Sequence, residues 1–412
     1  MLYNRERLLA LMDRFNLDGV VAATPENILY LSGFSSWSQN AYRYGGSQVY
    51  LVFPRDQSRS PALLISGGDV GYAALGDVWL KEVYTYGRAR KHHVPEPEKL
   101  SAEEKGVLSI LDLTPKGQKA EEALAQLIKE KTLDGSNLGI DQFGIPVTSF
   151  EMLNALLPKA QLRPASSFFR YVRMIKTPPE IERLREAATV NENAIKTMLS
   201  RAQPGATEGE LAAIYRGQVA RAGGQVYWMH MSVSRGGNFP AITDRVLENG
   251  DIFRVDMGCS VRGYHADTCK SGCLGEPTEA HRKKYQAVRT GVLNAVEKLK
   301  PGVLPAELYE TMLEGVRSAG IPKYSNFFVG HTIGLEAREF PFLFGAAEEI
   351  KDPFLPRSTN IPMEPGMVVN LEASSHELGW GSVQVEYTLV VTEDGREHLI
   401  PPEQRLYSLP LS

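Results

Sequence analysis

Hydrophobic and polar positions along this chain keep two periods, and the change from one to the other marks its organisation. Leu8, Leu9, Met12 and Phe15 recur at helical spacing, which predicts an amphipathic opening helix. The apolar run from Asp18 to Ala23 reads as a buried strand, followed by Thr24-Pro-Glu-Asn27 and an aromatic stretch ending at Phe34. Further strand signals lie at 48–53, 62–65 and 138–140, with helical patterns at 119–131 and 149–157. Strands alternating with helices in this way predict an α/β layer domain, taken as residues 1–165.

From residue 166 to 412 the pattern changes. Thr177-Pro-Pro-Glu180 is a capping box with prolines in the first turn, and Ile181, Leu184, Ala188 and Ile195 continue along one helical face. Thr207 and Glu210 form a second capping box, and Gly223-Gly224 ends that helix. Helical patterns return at 279–299 and 305–319, and strands dominate the last hundred or so residues. Helices alternating with antiparallel hairpins predict an α+β domain.

Within it, Phe253, Val255 and Met257 alternate with Arg254, Asp256 and Gly258, and the chain turns near 260–263 before returning through Asp267. A turn centred between Val261 and Arg262 places Asp256 directly opposite Asp267. Facing carboxylates roughly 5 Å apart at Cβ destabilise a sheet unless something offsets their charge. A second hairpin carries Glu372 and Glu386, facing one another if its midpoint is Gly379. Between the hairpins, Gly330 and Gly334 flank His331 and allow close backbone approach. Four carboxylates and an imidazole suit a pair of divalent ions, which lower the pKa of water and polarise a carbonyl.

Composition narrows the alternatives. The 412 residues are 43% hydrophobic and 23% charged with net charge −4, values of a globular protein with no basic field for nucleic acid or an anionic membrane. The short basic run Arg88 to His93 reads as a solvated loop. Neither GxGxxG nor GxxxxGKS/T occurs, so nucleotide binding has no support. Three cysteines, Cys259, Cys269 and Cys273, and no CxxC pair argue against disulfides and structural zinc. They read as small apolar side chains packed beside the acidic strands. The amphipathic start and the lack of a long apolar run point to a cytoplasmic protein.

The motifs Asp256-Met-Gly, Gly263-Tyr-x-x-Asp267, Gly330-His-x-x-Gly334-Leu-Glu, Glu364-Pro-Gly-Met-Val-Val and Glu386 resemble, in order, those of the prolidase/aminopeptidase P/creatinase family of pita-bread metallopeptidases. Arg173-Met-Ile-Lys176 looks like its interdomain junction, and Asn27 to Phe34 looks like part of its amino-terminal domain. The resemblance implies an α/β amino-terminal domain followed by an α+β pita-bread domain with a curved antiparallel sheet. It also implies a homodimer and two divalent ions, manganese foremost, with cobalt, zinc or iron accepted by the same donors. Asp256, Asp267, His331, Glu372 and Glu386 become the ligands, with Asp267 and Glu386 bridging and Glu372 passing the proton of the attacking water to the leaving nitrogen. The implied activity is cleavage of a C–N bond in a short peptide, as in Xaa-Pro dipeptidases and aminopeptidases.

Around that set the family pattern is broken. A histidine usual in the peptidases falls near Phe239, and the nearest imidazole is His230. A second expected histidine is Arg338, and the arginine expected two residues before the last ligand is Gln384. Asp267-Thr-Cys269-Lys270 replaces Asp-x-Thr-Arg. Arg338 is thus the candidate for stabilising an oxyanion or carboxylate, and Phe239, His230, Arg338 and Gln384 are the candidate substrate contacts. This implies a remodelled pocket, with a small amide, amidine or osmolyte as the alternative substrate, as for creatinase, ectoine hydrolase or a sulfonium-osmolyte lyase. A catalytically silent binding module is the third reading, and the complete ligand set argues against it.

Overall fold

Val20, Val21 and Ala22 are fully buried, as a strand with no polar alternation must be when layers cover both its faces. A computed structural model describes residues 2–42, 47–88, 93–112, 117–234, 241–345 and 352–410. Strands β1 (Gly19–Ala22), β2 (Tyr50–Pro54), β3 (Ala62–Ser66), β4 (Glu82–Tyr86), β5 (Asn137–Ile140) and β6 (Gln161–Pro164) form one mixed sheet in the order β4-β3-β2-β1-β5-β6. Helices Arg5–Arg14, Ala120–Glu130 and Val147–Leu156 correspond to the amphipathic patterns. The stretch before Phe34 forms the helix Pro25–Ser32, with Thr24 as its cap accepting from the Asn27 amide and proline in the first turn. Asp141, fully buried, gathers this corner by accepting from the Ala23 and Thr24 amides and the Thr24, Asn27 and Ser166 side chains.

The chain divides into two compact units, Met1–Arg173 and Met174–Ser412. The boundary lies after residue 173 rather than 165, because helix Ser166–Arg173 packs with the first unit: the Phe168 ring meets Phe15 edge-on at 6.3 Å.

The second unit contains two sheets. Strands β7 (Gln225–Val233), β8 (Ile252–Val261) and β9 (Tyr264–Leu274) pair antiparallel, while β10 (Phe328–Thr332), β11 (Glu339–Phe344), β12 (Val368–Glu377), β13 (Gly381–Val391) and β14 (Arg396–His398) form the other sheet in the order β11-β10-β12-β13-β14. A last strand, β15 (Leu406–Leu409), joins the first sheet parallel to β9, the one departure from antiparallel pairing in this unit among the described residues. Helices Pro178–Leu199 and Glu208–Arg221 start at the two capping boxes expected from the sequence. The first covers the outer face of the β8–β9 hairpin, where Asn191 Nδ2 donates to the Met257 carbonyl at 2.9 Å.

Glu180, 1% exposed, accepts from the Thr177 amide at 2.8 Å and the Tyr264 hydroxyl at 3.1 Å. Burial chiefly pushes its carboxyl up to about 7 from the ordinary 4.5. A raised folded-state pKa means that the native chain binds the proton more tightly. The stabilisation is therefore complete below about pH 4.5 and fades as pH rises through 7. Glu180→Gln is expected to remove that pH dependence, at most about 3 kcal/mol, from urea unfolding compared at pH 5 and pH 8. Curves for variant and parent that stay parallel across that range refute it.

Candidate metal centre

The two hairpins bring their acids together by different registers. Glu372 on β12 stands directly opposite Glu386 on β13, as the midpoint at Gly379 requires. On the other hairpin the expected register is corrected. Asp256 pairs with Cys269, and Asp267 pairs with Gly258. The turn consists of Arg262 (φ 53°) and Gly263 (φ 87°), so it is centred one position later than the sequence reading had it. Moving a turn centre by one moves the pairing by two, which leaves both carboxylates on the same face as diagonal neighbours.

His331 enters from β10, whose close approach to β12 depends on Gly330. At φ 147°, a Cβ there would lie 2.0 Å from the Asn370 carbonyl oxygen. His331 pairs with Asn370 and is fully buried. Its Nδ1 lies 3.0 Å from the Thr332 carbonyl, which assigns the ring proton to Nδ1 and leaves the Nε2 lone pair free. That Nε2 is 3.4 Å from Asp267 Oδ2 and 3.8 Å from Glu372 Oε1. Donors around an ion bound tetrahedrally at about 2.1 Å stand roughly 3.4 Å apart.

Among the described residues, nothing hydrogen-bonds Asp267 Oδ1, His331 Nε2, Glu372 Oε1 or Glu386 Oε2, although all four atoms are buried. Leaving such atoms without partners costs about 1–3 kcal/mol each. The electrostatics carry the same signature. Burial, then the charges of Asp256 and Glu372, drives the Asp267 carboxyl well above its ordinary range. Burial, then Asp267 and Asp256, does the same to Glu386. Glu372 is pushed up to about 8 by burial and by Glu386, and burial lowers His331. Oxygen-rich donors with one imidazole, buried and mutually repelling, fit a hard or borderline divalent cation. Among the described residues, no three histidine, cysteine or acidic side chains stand converged in a ready ion-binding arrangement. Amide and indole donors hold several carboxylate oxygens instead: Asn370 on Glu386, Gln384 on Glu372 at 2.8 Å, and Trp228 Nε1 on Asp256 at 2.9 Å.

The other expected site residues separate. His230 on β7 pairs with Asp256, and burial lowers its pKa. Arg338 stacks its guanidinium 5.1 Å from the Phe328 ring, and its charge acts on Asp267, His331, Glu372 and His230. Phe239 lies outside the described residues. Gln384, expected to touch substrate, is instead 1% exposed with both ends of its amide bonded to protein. The three cysteines are buried thiols without disulfides, and burial drives all three thiols up, Cys259 to about 12, away from the thiolate a nucleophile needs. Trp228, Asn370 and Arg254 were missed. Asn370 and Arg254 sit two residues before Glu372 and Asp256, so strand periodicity places them on the same faces; Trp228 carries no comparable signal.

An α/β unit precedes an α+β unit that carries these acids on two hairpins, and the class of protein is that of its family, a metal-dependent hydrolase. The chain belongs to metallopeptidase family M24, whose model matches residues 182–393, and residues 4–175 match the Creatinase/Prolidase N-terminal domain. It is 25% identical over 409 residues to the Xaa-Pro dipeptidase of Pyrococcus furiosus, spanning 97% of this chain and 98% of that protein. It is also 25% identical over 322 residues to the Xaa-Pro dipeptidase of Lactobacillus delbrueckii subsp. lactis, 77% and 83% of the two chains. The solved prolidase from Pyrococcus horikoshii superposes with a TM-score of 0.74 at 21% identity, covering 98% and 99%. The X-Pro aminopeptidase from Thermotoga maritima gives 0.75 at 18% identity, covering 97% and 100%. These likenesses establish the shared fold, the pita-bread α+β unit included, and the family implies divalent metal ions. Among the described residues no helix is long and apolar enough to cross a membrane.

Proposed function

We propose that Asp256, Asp267, His331, Glu372 and Glu386 hold two divalent ions, and that the enzyme hydrolyses the C–N bond of a short Xaa-Pro peptide. The observation that carries this reading is the set of four buried donor atoms without partners, one on each of Asp267, His331, Glu372 and Glu386. Bound divalent ions supply Lewis acidity that polarises a carbonyl and brings the pKa of water toward neutrality. Glu372 is the proton acceptor, and Gln384 holds its Oε2 at 2.8 Å. Having taken a proton, it delivers it to the leaving nitrogen. Manganese is the first ion to test, and a homodimer in the cytoplasm is the accompanying expectation. Purified enzyme is expected to carry metal, to lose turnover of Xaa-Pro dipeptides on chelation and to regain it with manganese. Protein that takes up no divalent ion overturns the reading in favour of a binding module.

Arg338 supports a remodelled pocket. It is a permanent donor where the peptidases have a histidine, so it cannot relay a proton, but it can hold a carboxylate. A charged hydrogen bond of this kind is worth about 1.5–3 kcal/mol. Arg338→His is therefore expected to raise KM for dipeptides with a free carboxylate about tenfold or more and to leave their amides unchanged. An unchanged ratio between the two substrates refutes the assignment. The same replacement favours, as a second reading, a small anionic or zwitterionic amide, amidine or osmolyte, and parallel assays with such compounds separate the two.

A further inference from the structure

Behind the carboxylates lies a pair of side chains that the proposed chemistry leaves without a task. Arg254 on β8 and Gln384 on β13 are 3% and 1% exposed. Arg254 Nη1 donates to Gln384 Oε1 at 2.6 Å and lies 3.4 Å from Asp256 Oδ2. Gln384 Nε2 in turn donates to Glu372 Oε2 at 2.8 Å and to Asp256 Oδ2 at 3.3 Å. The Gln384 backbone is clamped to the first sheet at both ends. Its amide donates to Ser271 Oγ at 2.8 Å, and its carbonyl accepts from the same hydroxyl at 3.0 Å. Ser271 is the β9 residue paired with Arg254.

The chemistry of the two groups gives this chain a direction. A guanidinium only donates, so the amide of Gln384 must present its oxygen to Arg254 and its NH2 to the acids. Rotating the amide would bring its NH2 against the guanidinium and its oxygen against two carboxylates. We propose that Arg254 and Gln384 form a directed relay of positioning residues across the two sheets. The relay holds Asp256 Oδ2 and Glu372 Oε2 back and so turns Glu372 Oε1 toward the ions. The inference rests on the ligand assignment above and adds the residues that aim those ligands, together with the source of the cation that stabilises them.

Because positions 254 and 384 are in direct contact, a guanidinium brought in from 384 reaches the same two carboxylates. The test is the affinity of purified protein for Mn2+, measured by competition with a fluorescent chelator, alongside the visible absorption of the Co2+-loaded form as a report on ligand geometry. Loss of an outer-shell partner costs about 10- to 100-fold in metal affinity. Arg254→Gln is expected to weaken Mn2+ binding by that factor and to change the Co2+ spectrum. The double variant Arg254→Gln/Gln384→Arg is expected to return both toward the parent values. A merely structural role for Arg254 would not be rescued by an arginine on another strand. Should Arg254→Gln not fold, Gln384→Met, which leaves the guanidinium in place, is expected to show the same loss. Parent protein that binds no ion refutes the underlying reading; parent and variants that bind equally well refute the relay alone.

Discussion

Glu386→Gln is expected to lose turnover by roughly a thousandfold or more, yet to melt higher than the parent in excess chelator. The two effects share a cause. Glu386 is 3% exposed, and its Oε1 already accepts from Asn370 Nδ2. Its other oxygen is buried without a partner, near the charges of Asp267 and Asp256. Without a cation, that arrangement is a store of repulsion. A glutamine keeps the Asn370 bond, removes one negative charge and offers an NH2 to acids that lack donors. One new hydrogen bond is worth about 1 kcal/mol, and in a unit of this size that raises Tm by about 2–4 °C. With a cation present the order reverses, because the lost ligand weakens the ion's own contribution to stability. Differential scanning fluorimetry with chelator and with added Mn2+, beside dipeptide turnover, reads both effects. A variant that keeps activity, or melts lower than the parent in chelator, contradicts the account of why these acids are assembled.

Lys176→Met is expected to cost about 3–5 kcal/mol of stability, although Lys176 supplies no group to the centre. Lys176 Nζ stands 2.8 Å from Glu339 Oε2, and both side chains are shut away from water. Glu339 Oε1 accepts from the backbone amides of Leu335 and Glu336 at 3.1 and 3.3 Å. This carboxylate therefore ties down the turn that ends at Arg338. Removing the lysine leaves a buried charge without its cation and loosens that turn. Replacing both residues by methionine removes the charges together and is expected to recover much of the loss. Urea unfolding at pH 7 measures the cycle; additive losses in the double variant would show that the two residues do not act as a pair. Turnover should fall in the single variant even below its unfolding midpoint, because Arg338 moves with the turn.

Strand periodicity is a local property, and what depended on it was legible. Alternation put Asp256 and Asp267 on one face of their hairpin and Glu372 and Glu386 on one face of theirs. Capping boxes at Thr177 and Thr207 marked where two helices begin. The stretch before Phe34, without such a pattern, is the helix Pro25–Ser32, and its threonine cap and first-turn proline are the signals that mark it. The junction at Arg173-Met-Ile-Lys176 was legible as a motif, while the assignment of helix Ser166–Arg173 to the first unit depended on which unit buries Phe168.

By itself, then, the sequence determined the order of the four acids and His331 along the chain and the face of its hairpin that each acid occupies, because side-chain direction follows from backbone period. Tertiary structure decided the rest. The position of the turn at Arg262-Gly263 made Asp256 and Asp267 diagonal neighbours rather than facing ones. Packing between the two sheets buried Gln384 and set it between Arg254 and the acids. The physical reason is that register, burial and hydrogen-bond direction belong to pairs of segments far apart in the chain. Arg254 and Gln384 are 130 residues apart, and only the fold brings them together.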